Sequence, residues 1–166
     1  MPLKLIGSVM LIAASFSAGY CMSKSLYRRR DFLKAFIVFL GRLATCIRYS
    51  SDNIFTLVNS CADSEELSCF RPETVVISQP FENIWNKCVL TIPKGYALKK
   101  ADTDLLLEFG SQLGKTDVEG QLKHIELYRQ LFEKQLDAAE EAIAKKSKLY
   151  KTMGLFVGTA AALMMM

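Results

Sequence analysis

The sequence predicts an all-α protein, a helical bundle of about five or six helices between an N-terminal and a C-terminal transmembrane helix. Apolar residues recur at three- and four-residue steps through most of the chain, the period of a helix that buries one face. Both ends are apolar and almost free of charge, while Pro, Gly and capping residues punctuate the middle at helix-like intervals. The implied organisation is a membrane helix over residues 3–22, a cytoplasmic bundle over 24–151 and a second membrane helix over 149–166.

From Leu5 to Met22 the chain runs eighteen residues without a charge. At 1.5 Å per residue this is about 27 Å of helix, enough to span a bilayer. Small residues at Ser15, Ser17, Ala18 and Gly19 would also suit the peptidase site of a cleaved leader. The cations that follow the apolar run, Lys24 and Arg28 to Arg30, oppose export and favour a retained anchor.

Next, Phe32, Phe36, Phe39, Leu40, Leu43 and Ile47 form the apolar stripe of an amphipathic helix that continues from the first span. Ser51 or Asp52 would cap a second helix that turns Ile54, Leu57, Val58 and Cys61 inward. Asp63 to Ser78 is the least regular stretch, and Thr74 to Ile77 has strand propensity without an obvious partner. Pro80 suits the first turn of a helix whose stripe is Phe81, Ile84, Trp85 and Cys88, closed by the turn at Pro93 to Gly95.

A further helix from about Asp102 ends at Gly114, placed as a C-terminal cap. Thr116 and Glu119 then read as a capping box that starts the longest helix. Its core seam is Leu122, Ile125, Phe132, Leu136, Ala139 and Ile143, with i,i+4 ion pairs Glu119–Lys123 and Glu141–Lys145. The tail from Thr152 to Met166 is short for a span, and Gly154, Gly158 and Ala162 fall at the four-residue spacing that lets membrane helices pack closely.

Charge narrows the function. The formal net charge is +4, with cations gathered at Lys24 to Arg30 and Lys145 to Lys151, each beside an apolar end and neither containing an acid. The positive-inside rule places both on the cytoplasmic side, with the termini outside and the domain between them inside. Asp31 to Ala144 carries mixed charge, which argues against nucleic acid as partner. The five cysteines are odd in number and lack a CxxC pair, so they read as small buried hydrophobes in a reducing compartment.

Candidate chemistry is sparse. Gly110-Ser-Gln-Leu-Gly114-Lys115-Thr116 resembles a phosphate-binding loop, and a small nucleotide-binding membrane protein is the alternative function it would support. A true loop needs four residues between its glycines, whereas here there are three and Phe109 stands where the first glycine belongs. His124 is the single histidine, which leaves no His-paired metal site. No catalytic residue, metal or cofactor is assigned, and a non-enzymatic role is expected.

The stretch Leu98 to Leu127, LKKADTDLLLEFGSQLGKTDVEGQLKHIEL, resembles the stage III sporulation protein AB family. Phe109, Gly110, Leu113, Gly114, Asp117, Gln121, Lys123, His124, Ile125 and Leu127 stand where the family pattern has them, and the two apolar ends, the Trp85 helix and the glycine-spaced tail agree as well. The chain departs from that pattern at Leu43 to Ile47 and at Tyr49 to Ser51, where the family carries an acidic stretch and a YG-x-TPL sequence. That family is similar to the F-type platform domain of type II secretion machines. The resemblance implies a component of the mother cell–forespore channel in the outer forespore membrane, its domain on the mother-cell side. A sporulation AAA-type ATPase, the stage III sporulation protein AA, is the implied partner, with other channel components, membrane lipid and self-association.

Overall fold

A computed structural model describes the backbone of residues 2–50, 52–71 and 79–165. Side chains are described within these ranges except at 2–9, 11–16, 18–19, 22, 147–151, 153–155 and 157–165. The architecture is all-α, with five α-helices among the described residues: α1 (Pro2–Tyr49), α2 (Ile54–Cys61), α3 (Phe81–Leu90), α4 (Lys100–Gln112) and α5 (Val118–Met165). Short 3-10 turns at Glu65–Phe70 and Lys94–Tyr96 complete the connections. The strand reading at Thr74 to Ile77 falls outside the described residues.

Two of the helix starts differ from expectation. The α2 cap is Asn53, whose side-chain oxygen accepts from the Phe55 amide at 3.1 Å, not Ser51 or Asp52. Asp52 instead accepts from the Ser50 hydroxyl at 2.5 Å, so its carboxylate is held at the end of α1. α4 begins at Lys100, earlier than Asp102, because the Asp102 carboxylate reaches back to accept from the Lys99 amide at 2.8 Å. An acid at this third helical position supplies the acceptor that a first-turn amide lacks.

The chain divides into two compact units, Arg29–Asp137 and the pair of terminal segments Met1–Arg28 and Ala138–Met166. In the first, the predicted α1 stripe of Phe32, Phe36, Phe39, Leu40, Leu43 and Ile47 is wholly buried. Phe36 is its centre, with the rings of Phe132 at 4.6 Å, Phe39 at 5.4 Å, Phe109 at 5.9 Å and Phe70 at 6.1 Å. Each such ring contributes roughly 1.5–3 kcal/mol by leaving water, so this cluster dominates the bundle's stability. Of the expected α5 seam, Ala139, buried, and Ile143, half-buried, belong to the other unit; in this one Ile125 and Phe132 are buried, joined by Tyr128, whereas Leu122 and Leu136 are half-buried.

Within the same unit a buried ion pair crosses the core. Arg29 donates from Nε to Asp102 Oδ2 at 2.7 Å and from a terminal nitrogen to Oδ1 at 2.9 Å, with a further bond to Gln135 Oε1 at 3.2 Å. Arg29 is 3% exposed and Asp102 not at all. One member of the Lys24 to Arg30 run is thus paired with an acid from a distant helix. The guanidinium has two of its faces answered by a carboxylate, and Arg30 pairs with Asp31 at 2.6 Å.

In the second unit, Glu141 and Lys145 form the expected i,i+4 pair. Among the described residues no helix is long and apolar enough to cross a membrane. The surroundings of Gly154, Gly158 and Ala162, and most side chains of the two apolar ends, lie outside the described residues.

Candidate functional site

The sequence-predicted residues converge where α3, α4 and α5 meet. Trp85 on α3 lies across α4, its indole N–H donating to the Leu106 carbonyl at 2.6 Å. That approach depends on Gly110. A Cβ added there would sit 1.9 Å from Trp85 Cδ1 and 2.3 Å from Cγ and Nε1, distances no packed side chain tolerates. Gly110 is thus a slot for the indole, and Trp85 is a core residue with the Phe70 ring tilted against it 4.5 Å away.

The turn after α4 is fixed by the motif's next members. Leu113 is buried at the C-cap, and Gly114 follows with φ +82, a left-handed conformation that favours glycine. Its amide donates to Gln121 Oε1 at 3.0 Å, while Gln121 Nε2 donates to the Thr116 hydroxyl at 2.9 Å and the Thr116 carbonyl at 3.4 Å. One buried amide side chain on α5 therefore staples the whole connection.

Asp117, not Thr116, caps α5. Its Oδ1 accepts from the Gly120 amide at 3.1 Å, and the first helical bond closes from Gln121 N to Asp117 O at 2.9 Å. The Thr116–Glu119 capping box is replaced for two reasons. Gln121 already occupies the threonine hydroxyl, and Glu119 turns outward to pair with Lys123 at 2.9 Å. Gly120 leaves room for this cap, since a Cβ would stand 2.8 Å from both Asp117 Oδ1 and Thr116 Oγ1.

His124 binds the end of α4 to α5. Its Nε2 lies 3.0 Å from the Phe109 carbonyl, an acceptor, so Nε2 carries the proton and donates. The imidazole stacks on the Phe109 ring at 5.3 Å and 9°, and meets the Tyr128 ring at 4.6 Å in a tilted contact. Burial, then the nearby Glu108 carboxylate, push the Tyr128 hydroxyl up to about 12. The proton it keeps suits an apolar contact and not acid–base chemistry near neutral pH.

In the phosphate-loop-like stretch the three groups that would meet a phosphate already have partners. Gly110 is filled by Trp85, the Gly114 amide is taken by Gln121, and Lys115 is paired with Glu82 on α3 at 3.0 Å. Among the described residues no group of three or more His, Cys, Asp or Glu gathers to hold a metal ion.

The motif therefore divides by direction. Phe109, Gly110, Leu113, Gly114, Asp117, Gln121 and His124 build the junction, whereas Lys123 and Leu127 point outward from α5. Leu127 is 54% exposed. Together with Arg48, Leu122 and Glu126 these two line a shallow groove of about 530 Å³. Sequence reasoning placed the motif residues but missed Arg29, Asp102 and Gln135, because no spacing rule links positions 73 residues apart.

Known proteins give the chain its relatives. No solved structure matches it. It is 28% identical over 170 residues to the stage III sporulation protein AB of Bacillus subtilis (strain 168), an alignment covering 99% of each chain. The family model for stage III sporulation protein AB matches residues 4–166. With the motif residues assembled into one junction and the match running nearly end to end, this chain belongs to the stage III sporulation protein AB family.

Proposed function

We propose that this protein is a non-enzymatic membrane platform in the mother cell–forespore channel complex of endospore formation, coupling a cytoplasmic ATPase to the channel. The observation that carries the reading is the continuity of α1 and α5. Each is a single 48-residue helix that supplies core residues to the bundle and also bears one of the apolar ends. Family membership supports the sporulation role.

In this reading residues 3–22 and 149–166 span the outer forespore membrane and Gly154, Gly158 and Ala162 pack against a neighbouring membrane helix. The domain faces the mother-cell cytoplasm and docks the stage III sporulation protein AA ATPase. Lys123 and Leu127 are the first contacts to alter, since they belong to the family motif yet add nothing to the core.

The test is co-sedimentation of the full-length chain, in detergent micelles, with the purified ATPase at moderate salt. Saturable binding that weakens in Leu127→Glu and Lys123→Glu variants of unchanged melting temperature supports the platform. Absence of binding by the folded chain refutes coupling to that motor. Carbonate extraction checks the anchor separately, and release of the chain into the supernatant refutes it.

A further inference from the structure

Cys46 on α1 and Cys61 at the end of α2 bring their sulfurs to 3.3 Å of each other, fifteen residues apart in the chain. Cys61 is 4% exposed, whereas Cys46 is half-buried on the flank of α1. The sulfur of Cys61 donates to that of Cys46, so the pair is already oriented face to face. Both sulfurs need approach by only roughly 1.3 Å in total to reach the bonding distance of about 2.0 Å.

The surroundings decide the order of reaction. Burial, then the bond to Cys46, push the Cys61 thiol up to about 12, so Cys61 keeps its proton. Arg42 and Asp63 form an ion pair beside it, and these residues with Cys61, Val38 and Leu67 line an open cleft of about 200 Å³. Cys46 is the more exposed residue of the two and the one a peroxide meets first, and the contact at 3.3 Å, not thiol acidity, places Cys61 to answer it.

We propose that Cys46 and Cys61 are a dithiol that a peroxide closes to an intramolecular disulfide, pinning the end of α1 to α2. In the first step the Cys46 sulfur attacks a peroxide oxygen. The O–O bond breaks, the sulfur becomes a sulfenic acid, and the departing hydroxide takes the Cys46 thiol proton and leaves as water. In the second, the Cys61 sulfur attacks the Cys46 sulfur, the S–O bond breaks, and the departing hydroxide takes the Cys61 proton as a second water. Two thiols are oxidised and one peroxide is reduced. A small dithiol reductant reverses the change.

The cross-link closes the α1–α2 corner, a connection held otherwise by the Asn53 cap and the buried faces of Leu57 and Val58. A constraint across such a loop raises stability chiefly by restricting the unfolded chain. The oxidised protein therefore melts higher than the reduced one. Cys69 and Cys88 give an internal comparison, since burial and each other's proximity raise Cys69 to about 11 but they share no sulfur contact of this kind.

The test uses the full-length chain in detergent micelles, with Cys21→Ser to remove an exposed thiol that would join copies. Hydrogen peroxide is added and quenched, the chain is alkylated after denaturation, and its peptides are read by mass spectrometry. The expected result is one linked pair joining the peptides of Cys46 and Cys61, loss of alkylation at both, reversal by dithiothreitol, and a rise of several degrees in melting temperature. Cys46→Ser abolishes both the link and the rise, and Cys61→Ala serves where that variant fails to fold. Free alkylation of both thiols after peroxide, overoxidation without a link, or links from either to Cys69 or Cys88 overturn the proposal.

Discussion

Substituting Gly110 by Ala sets two effects of opposite sign against each other, and their magnitudes decide the outcome. Alanine is favoured over glycine inside a helix by about 1 kcal/mol. Against that, the new methyl would stand 1.9 Å from Trp85 Cδ1, and the indole has nowhere to go, being enclosed by Phe36, Phe39, Phe70, Phe81 and Phe109. Forcing a group into such a core costs about 1–3 kcal/mol. Displacing the indole also breaks its bond to the Leu106 carbonyl, and a buried donor left unpaired costs about 1–3 kcal/mol more. The net is a loss of about 3 kcal/mol, or a melting temperature lower by roughly 10 °C.

Trp85 is the single tryptophan, so its fluorescence reports the perturbed contact during thermal or denaturant unfolding. Gly41→Ala is the control. A Cβ there meets nothing within 4 Å on the exposed side of α1, so the propensity gain acts alone and stabilises by up to about 1 kcal/mol. Trp85→Leu relieves the clash, and the Gly110→Ala penalty shrinks in that background. A Gly110→Ala protein as stable as the parent would refute the slot.

Three other outcomes follow from the same packing. Asp102→Ala leaves Arg29 as a buried unpaired charge and costs about 3–5 kcal/mol, whereas replacing both residues by apolar ones costs much less, as denaturant midpoints of the single and double variants will show. Gln121→Ala strands the Gly114 amide and the Thr116 hydroxyl, lowering stability by about 1–3 kcal/mol; an unchanged midpoint would mean that the α4–α5 turn holds itself. Cys61 and Tyr128, each held near 12, and Cys69, held near 11, stay protonated in the fold beyond the ordinary values of 9.0 for thiols and 10.0 for tyrosine. Their contribution is fully present below the unfolded values and is lost as pH rises through the folded ones, so the melting temperature falls steeply above pH 9. A flat alkaline profile contradicts this.

Local chemistry made much of the fold legible. The helical period marked the α1 stripe from Phe32 to Ile47, and every member of it is buried, because a helix that hides one face must repeat that face every three or four residues. Gly114 as a helix stop was equally readable, since only its position after an apolar run is needed. Caps were less so. Asn53 and Asp117 each act one or two residues from the expected site, because adjacent Ser, Thr, Asp and Asn residues compete for the same amides and neighbouring helices settle which one wins.

The candidate site was legible as a list and not as an arrangement. The motif from Phe109 to Leu127 is contiguous enough to be recognised, yet nothing in it states that Gly110 receives Trp85 or that Gln121 answers Gly114. The basic run at Arg29 looked uniform for the same reason, until Asp102 drew one of its members into the core. By itself the sequence determined the class, the helices and the family stretch, because periodicity and capping act over a few residues of one chain segment. Tertiary structure alone decided which side chains are buried in packing and which stay exposed, because a close approach, a buried charge pair or two facing thiols depend on distances between segments that the order of residues does not encode.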